Sequence, residues 1–227
     1  MNRFIILSEK KWHRELFINL KNKFSQEKWI HIYKKEDFNY ENLLLLNPSK
    51  IFIPHWSYII SNEIYSNFDC IIFHMTDLPY GRGGSPLQNL IVRGHKSTKI
   101  SAIKVQNGID TGDIYLKKDL SLLGTAQEIF NRSSGIIIRM IEEILINNLI
   151  PTPQVGEVVK FKRRKPEDSN LESLENLKDI FDYTRMLDGE GYPNAFLETE
   201  FFKFEFFDAK LDNKQNSIKA NVRISKK

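Results

Sequence analysis

His74-Met75-Thr76-Asp77-Leu78-Pro79-Tyr80-Gly81-Arg82-Gly83-Gly84-Ser85-Pro86 follows the apolar run Cys70-Ile71-Ile72-Phe73, and this junction decides the fold. The run from Asp69 to His74 is apolar without alternation, the pattern of a strand covered on both faces in a parallel sheet. A titratable imidazole therefore leaves the strand at its carboxyl end, where open α/β sheets bind ligands. Gly81, Gly83 and Gly84 allow a tight glycine-rich turn and close approach of backbone to a ligand. Ser85 suits an N-cap and Pro86 a first helical residue, for a helix running to about Arg93. A carboxylate follows in Gly108-Ile109-Asp110-Thr111-Gly112-Asp113. The expectation is an α/β enzyme that assembles a His/Asp pair from distant segments.

Outward from this junction, strands and helices alternate. Arg3–Leu7, Trp29–Tyr33 and Lys50–Pro54 read as strands. Lys10–Phe24 reads as a helix with Leu16, Leu20 and Phe24 at helical spacing. Leu43–Leu46 ends before Pro48, and Ile59–Asn67 is a short helix. Lys99–Val105 and Asp113–Lys117 alternate as strands flanking the Asp110 turn. Thr125–Asn147 is the longest helix, opened by a Thr125/Glu128 capping box, with Ile129, Phe130, Ile136, Ile137, Met140, Ile141 and Ile144 as its apolar set. Pro151 and Pro153 end this part. After the basic stretch Lys160–Lys165, a polar helix is expected near Leu171–Arg185. An aromatic strand Phe201–Phe207 should then hairpin with Ser217–Ile224 across Asp212-Asn213-Lys214. The pattern predicts a Rossmann-like α/β core with a mostly parallel sheet, residues 1–165, and a small C-terminal α+β subdomain with a β-hairpin, residues 166–227.

The 227 residues are 41% hydrophobic and 27% charged, as in an ordinary globular protein. A net charge of +4, from 33 basic against 29 acidic residues, is too small a bias to select a partner. The single Cys70 excludes an internal disulfide framework and fits a buried thiol in a reducing cytoplasm. No run of apolar residues is long enough for a membrane span, and Phe4-Ile5-Ile6-Leu7 is too short for a signal sequence.

Taken alone, these residues leave alternatives open. A histidine at a strand end also suits a single structural hydrogen bond, and Asp110 also suits an Asx-type turn. A phosphate cradle at the Ser85 helix start is a rival to a plain turn, but no GxxxxGK[ST] sequence is present. His74 and Asp77 have an H-x-x-D spacing, yet no further His/Cys cluster supports a metal. The Lys160–Lys165 run suits a solvated basic edge as well as a phosphate contact.

His74-Met75-Thr76-Asp77-Leu78-Pro79, Arg82-Gly83-Gly84-Ser85-Pro86 and Gly108-Ile109-Asp110-Thr111-Gly112-Asp113-Ile114 together resemble the folate-dependent formyltransferase family. The likeness covers roughly residues 50–165 and includes Pro151-Thr152-Pro153-Gln154. Within the family, the sugar N-formyltransferases of nonulosonic (pseudaminic) acid pathways look most similar. The resemblance implies a cytoplasmic enzyme using 10-formyltetrahydrofolate and no metal. It implies His74 and Asp110 as the catalytic pair, with Thr76 in the place of a motif serine. The family's asparagine two residues before the histidine is here Ile72, which removes a donor to the developing oxyanion; Asn107 and Thr76 are the candidate replacements. Trp56, Tyr58, Ile60, Arg82, Gly83, Gly108 and Ile109 fall on the cofactor side, and Tyr80, Gly81, Ser85, Tyr192 and Phe196 on the substrate side.

The tail after Pro166 looks short for a tRNA-binding barrel, and Arg185–Phe196 resembles a sugar-nucleotide segment. A small nucleotide-linked amino sugar is therefore the expected acceptor, with no nucleic acid and no membrane partner; a homodimer is compatible with the sequence. Glycinamide ribonucleotide is the alternative acceptor. A folate-binding relative inactivated at Ile72 is the alternative class.

Overall fold

The structure, a computed structural model, describes residues 1–212, 214 and 216–227. In chain order its strands and helices are β1 (Arg3–Leu7), α1 (His13–Lys23), β2 (Lys28–Ile32), α2 (Tyr40–Leu46), β3 (Lys50–Ile53), α3 (Asn62–Asn67) and β4 (Cys70–His74). There follow β5 (Tyr80–Gly83), α4 (Pro86–Val92), β6 (Ser97–Lys104), β7 (Ile114–Ser121), α5 (Ala126–Asn147) and β8 (Val159–Phe161). The last elements are α6 (Leu177–Arg185), β9 (Ala195–Glu198), β10 (Phe202–Asp212) and β11 (Ser217–Lys226). The chain forms two compact units. One comprises Met1–Gly83, Thr98–Leu120 and Asn131–Lys160; the other comprises Gly84–Ser97, Ser121–Phe130 and Phe161–Lys227.

The first unit is a Rossmann-like α/β layer. Its sheet runs β2-β1-β3-β4-β6-β7, with the first four strands parallel and β6 antiparallel to β4. Continuous apolarity has the predicted cause: Ile5, Ile6 and Leu7 of β1, Ile51, Phe52 and Ile53 of β3, and Ile71 of β4 are fully buried. Cys70 is buried among them, and burial, helped by the Asp69 charge, pushes its thiol up to about 12, so it stays protonated. Helix α5 buries the whole predicted apolar set, from Ile129 to Ile144. Its capping box is formed, with Thr125 N–H donating to Glu128 Oε2 at 2.8 Å and Glu128 N–H to Thr125 Oγ1 at 3.3 Å.

In the second unit, β11-β10-β9 make an antiparallel sheet. The polar helix begins at Leu177, not Leu171. The Leu171 N–H is donated to the Phe196 carbonyl at 2.9 Å, and Asn176 Oδ1 caps the later start by accepting the Asp179 N–H at 2.9 Å. Its inner face is charged. Arg185 is buried and fully engaged, donating Nε to Asp182 Oδ1 at 2.6 Å and Nη1 to the carbonyls of Leu122 and Gly124 at 2.7 and 2.8 Å. The hairpin is longer than predicted, pairing Phe202 with Lys226 and Asp212 with Ser217, while Asn213 of the expected turn lies outside the described residues. Strand β9 was not anticipated.

Two further corrections concern the opening motif. Gly81 and Gly83 belong to strand β5 and not to a turn, and at φ 80 and 112 both occupy the region that glycine alone enters freely. Ser85 stands at the N-cap of α4 in the left-handed region (φ 52), without capping it. Its hydroxyl instead accepts the Arg164 N–H at 3.0 Å.

Two glycine substitutions should move stability in opposite directions. A Cβ on Gly112 would lie 1.7 Å from the Lys104 carbonyl oxygen, so Gly112→Ala must displace backbone and should cost about 2–3 kcal/mol. A Cβ on Gly135, inside α5, meets nothing within 4 Å, so Gly135→Ala should add about 0.5–1 kcal/mol. Denaturant midpoints of the two variants check both signs.

Candidate functional site

His74 ends β4, so the sheet itself carries the imidazole to its carboxyl edge, where it is 7% exposed. Its Nε2 lies 2.8 Å from the Gly81 carbonyl oxygen. That oxygen can only accept, so Nε2 carries a hydrogen in every charge state, and Nδ1 is the nitrogen left to take up and release a proton. Nδ1 faces Asp110 Oδ1 at 3.5 Å. The other carboxylate oxygen, Oδ2, accepts the Gly83 N–H at 2.9 Å. Strand β5 therefore holds both members of the pair, the histidine through Gly81 and the aspartate through Gly83.

The residue between them, Arg82, donates Nε and Nη2 to Gln154 Oε1 at 3.1 and 2.8 Å. Gln154 Nε2 donates to the Asp110 and Gly112 carbonyls, both at 2.8 Å. Gln154 and Ser101 were given no role from sequence. Ser101 Oγ donates to the Thr76 carbonyl at 2.7 Å and accepts the Leu78 N–H at 3.3 Å, fixing the chain just past His74. A polar residue inside a proline-rich segment beside the Asp110 motif was the available signal for Gln154. Nothing in the alternating strand around Ser101 marked it.

The other predicted residues fall on several elements. Thr76 is fully buried, with Oγ1 donating to the Gly81 carbonyl at 3.5 Å. Asn107 and Gly108 are exposed in the loop before Asp110, and Ile109 is 61% exposed at its tip. Trp56 is partly buried in the segment after β3, edge-on to Phe38 and Tyr58, while Ile60 is buried in the apolar cluster beneath. Tyr80 is half-buried in β5. Ser85, Tyr192 and Phe196 belong to the second unit. There Tyr192 stacks on Phe130 at 5.4 Å, and burial raises its hydroxyl's pKa; Phe196 lies in β9 under Lys203 Nζ at 4.5 Å. Asp77 is engaged by Lys117 and Lys99: burial pushes its carboxyl up, but the two ammonium groups prevail and hold it below the usual range. Among the described residues no three His, Cys, Asp or Glu side chains are grouped to hold a metal, and no helix is long and apolar enough to cross a membrane.

The remaining titratable chemistry of this unit is a set of histidines, His13 after β1, His31 near the end of β2 and His55 after β3. His13 Nδ1 lies 2.7 Å from Ser8 Oγ, and His31 Nε2 lies 3.2 Å from the Ser8 carbonyl. Burial first, then the neighbouring His55, His31 and Lys10, lowers His13 to about 3; burial and Lys10 lower His55 to about 4.

The resemblance implied a formyltransferase, and comparison with known proteins bears on the family. The family described as Formyl transferase matches residues 13–132, and that described as Methionyl-tRNA formyltransferase, C-terminal domain, matches residues 166–225. The chain belongs to the formyl transferase family. A solved methionyl-tRNA formyltransferase from Clostridium thermocellum is 49% identical, with a TM-score of 0.96 and 100% of both chains covered. The methionyl-tRNA formyltransferase of Clostridium botulinum is 27% identical over 192 residues, 81% of this chain and 62% of that protein. The chain thus spans about six-tenths of the length of that curated relative. A sugar N-formyltransferase from Shewanella is 17% identical over 97% of this chain and 96% of its own, with a TM-score of 0.68, a likeness of fold alone.

These findings confirm the formyltransferase core and the enzyme class, in a family that uses folate derivatives. They overturn the nucleotide-linked amino sugar, the pseudaminic-acid and polysaccharide setting, and the exclusion of nucleic acid. The sequence argument failed on length: a short tail was taken to lack a tRNA-type domain, yet residues 166–225 match the C-terminal domain of methionyl-tRNA formyltransferase.

This set of histidines gives a pH dependence. His13 folded binds its proton more weakly than in the unfolded chain, so stability is full above about pH 6.5 and falls as pH drops towards 3. The slope should be about 1.4 kcal/mol per pH unit from this group. Unfolding free energies measured between pH 7 and 4 should show this fall, and His13→Gln should flatten it.

Proposed function

We propose that this chain transfers the formyl group of 10-formyltetrahydrofolate to the amino group of methionyl-tRNA. The chemistry rests on one observation: His74 Nδ1 and Asp110 Oδ1 face each other at 3.5 Å, each tied to β5 by its remaining polar atom. The acceptor rests on the match of residues 166–225 and on the 49% identity to a methionyl-tRNA formyltransferase. The charge distribution supports it independently. Residues 201–227 contain Lys203, Lys210, Lys214, Lys219, Arg223, Lys226 and Lys227 against Glu205, Asp208 and Asp212, a net +4 equal to that of the whole chain. A basic segment on an otherwise neutral protein suits a polyanion. We assign residues 1–165 to catalysis and 166–227 to the acceptor side.

The formyl-folate supplies the activated one-carbon unit. We assign its flat ring to Trp56 and Tyr58, whose rings meet edge-on in the segment leading to the buried Ile60, and to the exposed Ile109. The chain's own groups then handle protons and charge. His74 takes the proton lost by the attacking amine at Nδ1, because Nε2 stays committed to the Gly81 carbonyl, and gives it to the folate nitrogen as the bond from that nitrogen to the formyl carbon breaks. Asp110 stabilises the resulting imidazolium and keeps the ring oriented. The negative charge growing on the formyl oxygen needs a donor that Ile72 cannot supply. The Thr76 hydroxyl is turned onto Gly81, which leaves the exposed Asn107, three residues before Asp110, as the donor we assign.

Wild-type protein should formylate methionyl-tRNA from 10-formyltetrahydrofolate, with a rate that falls steeply as salt is raised. His74→Ala and Asp110→Ala should each reduce kcat/KM by about 10²–10⁴, and Asn107→Ala by about 10², with unchanged circular dichroism. Near-wild-type rates in both pair variants would discard the assignment. Folate binding without turnover in the wild type would identify a binding-only relative disabled at Ile72.

A further inference from the structure

We propose that Gln154 is a positioning residue for Asp110, setting the carboxylate through the backbone of its loop; this rests on the catalytic assignment of Asp110 above. Gln154 lies in the proline-rich segment after α5, anchored nearby by a reciprocal pair of bonds between Thr152 and Ile114, at 2.8 and 2.9 Å. Its amide orientation is determined by chemistry. The Arg82 guanidinium can only donate, and it sends both Nε and Nη2 to one atom, which must be Oε1. The NH₂ end is thereby aimed at the Asp110 loop and donates to the carbonyls of Asp110 and Gly112.

That loop needs holding. Asp110 adopts φ 53, a left-handed conformation that a non-glycine residue keeps only when its surroundings impose it. The two carbonyls caught by Gln154 are this residue's own and that of Gly112, so the loop is held at Asp110 and two residues beyond it. The carboxylate side is fixed separately, by the Gly83 N–H on Oδ2. Arg82 therefore has a function distinct from its glycine neighbours: Gly81 and Gly83 hold the reacting side chains, while Arg82 holds the amide that holds the loop. A catalytic group is productive only within a narrow tolerance of position, so a residue that never meets substrate governs the rate.

Amide hydrogen exchange reads the position of Asp110 without any substrate. The Gly83 N–H is protected by Asp110 Oδ2, whereas the Val105 N–H, bonded to the Cys70 carbonyl at 2.8 Å in the same unit, reports general loosening. In Gln154→Ala the exchange at Gly83 should rise about tenfold, the loss of one hydrogen bond of ordinary strength, with Val105 unchanged. Gln154→Glu should do the same, because it keeps an acceptor for Arg82 but has nothing to donate to the loop. In formyl transfer to methionyl-tRNA, both variants should lower kcat about tenfold with KM for the formyl-folate unchanged. Unchanged Gly83 exchange in either variant, or equal acceleration at Val105, overturns the proposal. If wild type transfers no formyl group to methionyl-tRNA, the functional reading fails while the exchange result still decides the role of Gln154.

Discussion

The Gly83 N–H bond to Asp110 Oδ2 is the constraint on which the rest of the site depends. It joins strand β5 directly to the loop between β6 and β7, which Arg82 and Gln154 connect only at one remove. Once it is made, the second carboxylate oxygen is directed at His74, and the imidazole is held from its other side by Gly81 two residues earlier. Both glycines have positive φ, so the alternation that turns one carbonyl towards His74 and one amide towards Asp110 demands residues without Cβ. Gly112 extends the same requirement, because its backbone passes so close to the Lys104 carbonyl that no side chain fits. The site is thus built from main-chain geometry first, and the side chains of His74 and Asp110 occupy places that geometry leaves for them.

Ile72 shows how the same sheet limits the chemistry. It pairs with Ile53 of β3 and Ile103 of β6 and packs against the apolar cluster that also seats Trp56 and Ile60. A polar side chain here could reach the reaction only by giving up that packing. The chain has taken the apolar option, and in the proposed reaction the donor for the developing charge comes from the loop leading into Asp110. The position of that loop then matters twice, for the carboxylate and for the donor, which makes the bonds across Arg82 and Gln154 more consequential than their distance from the reacting atoms implies.

Much of the core was legible because its signals are local. Continuous apolarity marked β1, β3 and β4, the helical spacing of Ile129 to Ile144 marked α5, and Thr125 with Glu128 marked its start. What was missed depends on contacts far apart in sequence. Gly81–Gly83 reads as a turn by composition and is a strand only because residues near Val159 lie beside it, Val159 N–H reaching the Pro79 carbonyl at 3.4 Å. Ser85 has the right identity for a cap, but its hydroxyl is claimed by Arg164, a partner 79 residues away. Leu171 carries no local signal that its N–H belongs to Phe196. His74 and Asp110 were found as a pair through the order of motifs; Gln154, which completes the connection, has a side chain whose role exists only in the folded chain.

The error over the acceptor has a physical lesson of its own. A net charge of +4 on 227 residues was read as too small to select a partner, so the length of the tail alone was left to decide against nucleic acid. Electrostatic attraction to phosphates depends on the local density of charge within about 8–10 Å, the screening length at physiological salt, and not on the chain average. The surplus of this protein is confined to its last 27 residues, where Lys219 and Arg223 lie on one face of β11, Lys210 pairs with Lys219 across the hairpin, and Lys226 and Lys227 close the strand. Part of that charge is used internally, Arg223 reaching Glu205 at 3.0 Å and Lys227 reaching Glu198 at 2.5 Å. The cationic members of these pairs are exposed, Arg223 by 63% and Lys227 by 41%, and exposed pairs hold their charges only weakly. Concentrated charge on a rigid scaffold is what attraction to a polyanion depends on, and two long paired strands supply such a scaffold.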